Sequence, residues 1–365
     1  MLNQHIVTEE RVSHGVAAVY PVVKQEYCVM DRRCVNCISI CPERAITAVK
    51  REDDPLRKTA FIEPELCTRC GLCYQVCPTN AIEDVNAIDY RTKASEVAGK
   101  GMLIVFSCEH HPPLNPLPSR EGKIPSPLAG EGQGEGQSAI ISVPDLSIIS
   151  WRDIFKIMAT GSPVLMIGCD ECRQTNHFKQ IEEIFANSCY EGAFSFYDSA
   201  EEIPLPADIA NTDQILDENI LEQIIFSYTD KIYFPGTAWV DIGDRCTLCQ
   251  NCSNLCPTEA LTIKKDNGKI SLIYDHNLCK GCPVCEKACP ERCIAIDRRL
   301  RLNKLAAIDV KCESSMVFCK MCNKPISTDA AFERIKNILY AHGQKTEQLE
   351  YCPDCKGSQL IGITN

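Results

Sequence analysis

Four stretches of the chain share one order of polar and apolar positions. Each contains a Cys-Pro pair, followed by two polar residues, a small residue and a stretch in which apolar and polar positions alternate. Alternation with a period of two is typical of a half-buried strand, so each repeat predicts a proline-started turn and a short β-strand. The four stretches are Ile38–Val49, Tyr74–Val85, Ser253–Lys264 and Glu286–Asp297.

A different pattern lies between the two pairs of repeats. Met102–Cys108 and Val164–Cys169 are apolar runs of strand length that each end at a cysteine, and Gln174–Ala186 has apolar residues at helical spacing. Strands followed by cysteines and a helix predict a small α/β domain with its chemistry at the strand ends. Residues 112–137 interrupt this domain, and nearly half of them are Pro or Gly, which predicts a disordered loop.

Among the features of the composition, the cysteine content says most about function. The chain has 365 residues and 26 cysteines, and sixteen of these cysteines form four runs that each end in Cys-Pro. Cysteines separated by two or three residues pair poorly as disulfides and suit metal ions better. Three runs match the spacing C-x2-C-x2-C-x3-C-P. The runs are Cys28/Cys34/Cys37/Cys41, Cys67/Cys70/Cys73/Cys77, Cys246/Cys249/Cys252/Cys256 and Cys279/Cys282/Cys285/Cys289.

This spacing resembles that of bacterial ferredoxins with two [4Fe-4S] clusters, in which the last cysteine of each run binds the cluster of the other run. The resemblance implies two ferredoxin-like modules and four [4Fe-4S] clusters, and structural zinc at these runs is the alternative. In the first module the implied ligand sets are Cys28, Cys34 and Cys37 with Cys77, and Cys67, Cys70 and Cys73 with Cys41. In the second module they are Cys246, Cys249 and Cys252 with Cys289, and Cys279, Cys282 and Cys285 with Cys256.

The first run departs from the regular spacing. Counting back from Cys41 places the first ligand at Asp31, whereas Cys28 lies three residues earlier. Three hypotheses stay open: a longer loop lets Cys28 reach the iron, Asp31 supplies an oxygen ligand, or the site holds a three-iron cluster. We expect Cys28 to be the ligand.

Cys293 stands at the repeat position that alanine fills in the other three repeats, at Ala45, Ala81 and Ala260. Because that position takes a small side chain in each case, we expect Cys293 to be a small buried residue beside a cluster. A role as an iron ligand is the alternative.

Two more Cys-x2-Cys pairs lie in the C-terminal part. Cys319 with Cys322, and Cys352 with Cys355, look like the two knuckles of a zinc ribbon. Two such turns place four thiolates tetrahedrally, and zinc then supplies folding energy for a segment too short for a core of its own. A rubredoxin-like single iron uses the same ligand geometry and is the alternative.

Four cysteines remain in the central domain, namely Cys108, Cys169, Cys172 and Cys189. Their context, VLMIGCDECRQTNHFKQIEEIF with the earlier IVFSC, resembles the iron–sulfur delta subunit of methyl-viologen-reducing hydrogenases. That resemblance implies a [2Fe-2S] cluster and electron transfer to a flavoprotein of the heterodisulfide-reductase type. The alternatives are packed thiols at strand ends and a thiol-exchange or sensor site at Cys169 and Cys172.

Charge and absent motifs narrow the function. The net charge is −11, and residues 94–240 carry 21 acidic against 8 basic side chains, without a long basic stripe for nucleic acid. The sequence has no Walker loop, dinucleotide fingerprint, haem motif or HExxH motif. The first residues have no apolar signal core, and no apolar run is long enough to span a bilayer. We therefore expect a cytoplasmic protein without nucleic-acid partners or direct membrane insertion.

The expected fold is α+β and modular, with two ferredoxin-like modules flanking a small α/β domain. The modules are predicted at 1–93 and 241–311, the acidic domain at 94–240, and the zinc-ribbon-like segment at 312–365. This organisation predicts a non-catalytic electron-transfer subunit of a hydrogenase, formate dehydrogenase or heterodisulfide-reductase type complex, with flavoprotein, hydrogenase or dehydrogenase subunits and ferredoxin as partners. The alternatives are an iron–sulfur redox sensor or an assembly and docking factor, and a catalytic subunit that uses the central domain.

Overall fold

The computed structural model describes residues 20–100, 102–109, 138–169, 171–172, 175–186, 190, 193–197, 218–228, 231–304 and 308–360. The predicted loop at 112–137 and Cys189 lie outside these residues. The chain forms two compact units: unit 1 comprises Met1–Cys28 and Cys37–Ser227, and unit 2 comprises Val29–Asn36 and Tyr228–Asn365. Among the helices of the described ranges, none is long and apolar enough to cross a membrane.

Unit 1 starts with two antiparallel strand pairs built on the first two repeats. The elements are β1 (Val22–Val23), α1 (Asn36–Ile40), β2 (Ile46–Lys50), β3 (Lys58–Ile62), α2 (Leu72–Val76), β4 (Ile82–Glu83) and α3 (Val85–Val97). β1 pairs with β4 and β2 pairs with β3. β2 and β4 are the strands that the alternating pattern after each Cys-Pro predicts, and a helix of five residues precedes each Cys-Pro.

A parallel sheet forms the rest of unit 1. Its elements are β5 (Leu103–Cys108), β6 (Ser138–Val143), α4 (Trp151–Met158), β7 (Val164–Ile167), α5 (Asn176–Phe185), β8 (Phe194–Tyr197) and α6 (Glu218–Ser227). The strand order is β6-β5-β7-β8, and all neighbours are parallel. β5 and β7 are buried almost throughout, as expected for parallel strands covered on both faces. The two strands and the helix predicted for this region are therefore observed, with shorter bounds.

Helix α3 connects the strand pairs to the parallel sheet. Its buried Tyr90 donates from Oη to the Asp153 carboxylate at 2.6 Å, and Arg91 donates from Nε to the same carboxylate at 2.8 Å. The Tyr90 ring also meets Phe106 of β5 edge-on, with 6.1 Å between ring centroids. These contacts join α3 to α4 and to β5, so the cysteine-rich part packs on the sheet within unit 1.

Unit 2 repeats the antiparallel pairing and then extends it. The elements are β9 (Lys231–Tyr233), β10 (Trp239–Ile242), α7 (Asn251–Leu255), β11 (Leu261–Asp266), β12 (Lys269–Asp275), α8 (Val284–Ala288), β13 (Ile294–Asp297), β14 (Arg299–Arg301), β15 (Ile308–Phe318), β16 (Pro325–Thr328), α9 (Asp329–Ala341) and α10 (Pro353–Leu360). β10 pairs with β13, β9 with β14, and β11-β12-β15-β16 form one antiparallel sheet. The eleven-residue β15 pairs first with β12 and then with β16, so the third and fourth cysteine runs and the C-terminal cysteine pairs share this sheet.

The short segment Val29–Asn36 packs within unit 2. The Asn36 side-chain amide donates to the carbonyl of Lys280 at 3.0 Å, and Lys287 Nζ donates to the carbonyl of Arg33 at 3.3 Å. Cys34 shares an apolar cluster with Cys282 and Val284. A cysteine of the first run therefore lies against a cysteine of the fourth run.

Candidate metal centres

In unit 1, one recess is lined by four of the predicted ligand cysteines. Cys67, Cys70 and Cys73 contribute to it together with Cys41 from the preceding run. The other walls are largely apolar, and include Ile46, Ile62 and Leu72. The exchange of fourth cysteines between runs predicts this set, and four thiols around an apolar recess fit a [4Fe-4S] cubane.

An equivalent recess lies in unit 2. Cys246, Cys249 and Cys252 line it together with Cys289 of the following run. Leu248, Ile263, Leu272 and Ile294 supply apolar walls. The same donor set in the same kind of recess fits a second cubane.

The fourth run gathers around the cysteine exchanged from the third. Cys279, Cys282 and Cys285 are buried, and Cys256 is half-buried. Cys256 interacts electrostatically with both Cys282 and Cys285. The structure thus brings this predicted set together as well.

The structure does not bring the set that begins at Cys28 together within one unit. Cys28, Cys37 and Cys77 belong to unit 1, whereas Cys34 belongs to unit 2. Cys37 and Cys77 are buried and Cys28 is half-buried, while Asp31 is exposed in the turn Met30–Arg32. Ligation by Cys28 rather than Asp31 stays our prediction, because a soft thiolate is a better ligand for an iron–sulfur cluster than a carboxylate.

The backbone of the cluster loops is arranged alike in all four runs. The residue before the second cysteine has a left-handed conformation each time, with φ of 67° at Arg33, 59° at Arg69, 54° at Leu248 and 66° at Gly281. Backbone amides then point at sulfur: Arg69 N–H donates to Cys67 Sγ at 3.5 Å. Beyond the Cys-Pro turns, Ala45 N–H donates to Cys41 Sγ at 3.3 Å and Ala81 N–H to Cys77 Sγ at 3.2 Å. Such donors favour the thiolate form that binds iron.

Burial opposes charge on several of these thiols. It raises the pKa of Cys70 to about 11, and that of Cys252 and Cys282 to about 12. For Cys252 the neighbouring Cys246 and Cys249 raise the pKa further. Clustered thiols of this kind become thiolates only when a cation compensates their charge, so metal binding must release protons here.

Two cysteines outside the sixteen lie close to ligand cysteines of the recess of unit 2. Cys293 lines it, with its Sγ 3.5 Å from Cys289 Sγ, and is half-buried, whereas we expected a buried side chain at this position. Cys312, on β15, interacts electrostatically with Cys246. Sequence reasoning missed Cys312, because it belongs to no Cys-x2-Cys pattern and depends on the β12–β15 register.

The C-terminal cysteines converge on one point. The sulfurs of Cys319, Cys322, Cys352 and Cys355 all lie within 4.8 Å of one another, and only Cys322 of the four is exposed. The Cys322 and Cys352 sulfurs are 3.6 Å apart, close to the roughly 3.8 Å spacing of thiolates around tetrahedral zinc. Although burial raises it, the pKa of Cys319 is lowered to about 6, because backbone N–H groups of Cys352, Cys322 and Met321 donate to its sulfur. This donor set fits a tetrahedral thiolate metal site.

Three central cysteines form a second convergent set, which we call the central triad: Cys108, Cys169 and Cys172. All three sulfurs lie within 4.8 Å of one another, with 3.4 Å between Cys108 and Cys169 and 3.7 Å between Cys169 and Cys172. Cys108 ends β5 and Cys169 follows β7, so both stand at the carboxyl edge where the strand order reverses. Ligands of open parallel sheets bind at that position.

One loop connects the central triad to the recess of unit 1. Asp145 is fully buried, accepts from Ser147 N–H at 2.8 Å, and interacts electrostatically with both Cys70 and Cys172. The Gln75 side chain donates to the carbonyl of Ser147. The triad and the Cys70 thiol therefore flank the same short turn.

These cysteine-lined recesses define an iron–sulfur electron-transfer protein. More specifically, the family model of the 4Fe-4S dicluster domain matches the chain twice, over residues 27–81 and 245–293. The first match spans the first two cysteine runs and the second spans the other two. A search of the curated proteins finds no match.

Proposed function

We propose that the chain is a non-catalytic subunit that relays single electrons through four [4Fe-4S] clusters within an oxidoreductase complex. The two matched recesses carry this proposal, since each gathers three cysteines of one run and the exchanged cysteine of its partner. The complex is of hydrogenase, formate dehydrogenase or heterodisulfide-reductase type, and its other subunits or a ferredoxin supply and accept the electrons.

The protein residues set the conditions for that transfer. A bound cubane supplies one-electron redox chemistry at low potential. The chain contributes the four thiolates of each set, N–H donors such as Ala45 that stabilise sulfur charge, and apolar walls that exclude water. Hydrogen bonding, charge and burial of this kind tune the potential of such a centre.

Two contacts support electron transfer between the proposed clusters. Cys34 packs on Cys282, which brings ligand cysteines of the first and fourth runs together in unit 2. In unit 1, the turn at Asp145 lies beside both Cys70 and Cys172. We propose that the central triad holds a further metal cofactor of the relay, of the [2Fe-2S] class, and that the C-terminal cysteines hold zinc.

The relay is tested by metal analysis and electron paramagnetic resonance after anaerobic reconstitution. We expect about sixteen irons in cubanes, four for each of four clusters, and reduced-state signals from magnetically coupled cubanes. The reduced chain should be reoxidised rapidly by a ferredoxin-dependent enzyme, whereas the iron-free chain should not react. Less than about half that iron, with no coupled signals, would contradict the relay.

A sensor or docking factor would behave differently in the same preparation. Its affinity for an apo-enzyme or a promoter would change with cluster occupancy, while electron exchange with the ferredoxin-dependent enzyme would be slow. That pair of results would overturn the relay in favour of a regulatory protein.

A further inference from the structure

The recess at Cys246 holds more thiols than a cubane can bind. A cubane takes four thiolates, which Cys246, Cys249, Cys252 and Cys289 provide. Cys293 lines the same recess, with its sulfur 3.5 Å from that of Cys289. The site therefore has a fifth thiol in contact with one of its ligands.

The recess of unit 1 shows that this thiol is not a general requirement of the fold. Its wall at the equivalent repeat position is Ala45, and the remaining two repeats have Ala81 and Ala260 there. The chain thus contains two recesses of the same construction that differ by a sulfur atom at this position.

Backbone hydrogen bonds hold Cys293 at the recess. Gly243 N–H donates to the Cys293 carbonyl at 2.8 Å, and the Gly243 carbonyl accepts from Cys246 N–H at 3.1 Å. The loop that carries Cys246 and the turn that carries Cys293 are therefore fixed to each other. A change of χ1 rotamer moves a cysteine sulfur by roughly 3 Å, which is comparable with the separation from Cys289.

We propose that Cys293 is a reserve ligand, which takes the iron coordination position of Cys289 when the Cys289 sulfur no longer binds the iron. The inference rests on the proposed function, since it requires a cubane in this recess. In the exchange, the iron–sulfur bond to Cys289 breaks and a bond to the Cys293 thiolate forms. The Cys293 proton passes to the leaving Cys289 sulfur, so the step is redox-neutral.

The exposure of this recess to solvent explains why a reserve ligand would be useful there. All sixteen run cysteines are described, and Cys249 is the exposed one among them. A cluster that reaches solvent is the most accessible to oxidants, which remove iron from exposed cubanes. A neighbouring thiol that replaces a lost ligand protects this centre against conversion to a three-iron cluster.

The test compares matched variants of the full chain: Cys289→Ala, the double variant Cys289→Ala with Cys293→Ala, and Cys41→Ala, which removes the equivalent ligand beside Ala45. Each is reconstituted anaerobically, and its iron content and oxidised three-iron resonance are measured. We expect Cys289→Ala to keep its iron and show no three-iron signal. The double variant and Cys41→Ala should each lose about one iron and show that signal. A three-iron signal in Cys289→Ala equal to that of Cys41→Ala would overturn the proposal.

Alkylation followed by mass spectrometry gives an independent readout. In the wild-type holoprotein Cys293 should react with iodoacetamide while Cys289 is protected, and in Cys289→Ala Cys293 should become protected. A Cys293 that stays reactive in that variant would contradict a ligand role even if the iron content were ambiguous. A wild-type chain without cubane signals would instead overturn the relay, which distinguishes the two failures.

Discussion

Gly71 lies between the ligand cysteines Cys70 and Cys73, at the point where the cluster loop approaches the Asp145 turn. Its φ is +69°, and a Cβ at this position would overlap the side chain and backbone of Ile148. Gly99 in the same unit also has a positive φ, of +78°, but a Cβ there would meet only Thr160, at 3.7 Å. Both glycines have a positive φ, but only at Gly71 would an added Cβ overlap a neighbouring residue.

We expect Gly71→Ala to disrupt the recess of unit 1, because the loop cannot hold both its turn and its contact with Ile148. The variant should lose about four irons per chain. Gly99→Ala should keep its iron and cost only the backbone penalty of roughly 1–2 kcal/mol. Iron analysis and thermal unfolding of both variants check this, and equal iron contents would contradict it.

At the scale of elements, helix α9 is linked to the loop that carries Cys246 by its N-cap residue. Thr328 caps α9, since its Oγ1 accepts from Ala331 N–H at 3.1 Å. The same hydroxyl donates to the buried carbonyl of Thr247 at 2.7 Å, next to Cys246. One side chain thus serves both a helix end and a ligand loop.

Thr328→Ala should therefore weaken two elements together. Loss of the cap typically lowers the free energy of unfolding by about 1 kcal/mol, and the unpaired Thr247 carbonyl lowers it by a similar amount. We expect faster hydrogen exchange at the amides of residues 329–333 and of the Cys246 loop. Thr328→Ser keeps the hydroxyl and should retain wild-type protection. Faster exchange in α9 alone would show that the contact with Thr247 contributes nothing.

At the scale of the whole molecule, the proposed C-terminal zinc site and the proposed cluster sites use different cysteines. Cys322→Ser should remove most of the bound zinc while the iron content stays near that of the wild type. The variant should unfold at a lower temperature, because the binding energy of zinc supports folding. Inductively coupled plasma mass spectrometry and thermal unfolding check both parts. Iron in place of zinc at this site would support the rubredoxin-like alternative.

The repeats made part of the molecule predictable. The strands after each Cys-Pro follow from their alternating pattern, and the ferredoxin-like spacing paired Cys41 with the Cys67 recess and Cys289 with the Cys246 recess. The spacing of nearby residues is enough to predict these strands and cysteine sets, because the ligand loops are short and have the same geometry in each repeat.

Other features depend on contacts that spacing does not encode. Cys312 reaches Cys246 through the register of β12 with β15, which shifts between Leu272 and Ile273. The central triad forms because β5 and β7 become neighbours in the sheet, although Cys108 and Cys169 are far apart in sequence. The left-handed conformation of Leu248 follows from loop closure around the cluster site rather than from its own propensity.

The continuous strand β15 has a consequence for how the chain could evolve. Its first half completes the sheet beside the cysteine recess and carries Cys312, and its second half leads into Cys319. Inserting one residue between Ile308 and Cys312 would turn every following side chain of β15 to the opposite face. Recombination at that point could not exchange the C-terminal segment independently, because the residues where it would be connected lie beside the cysteine recess of unit 2. The cysteine recess and the C-terminal cysteine set therefore depend on the register of the same strand.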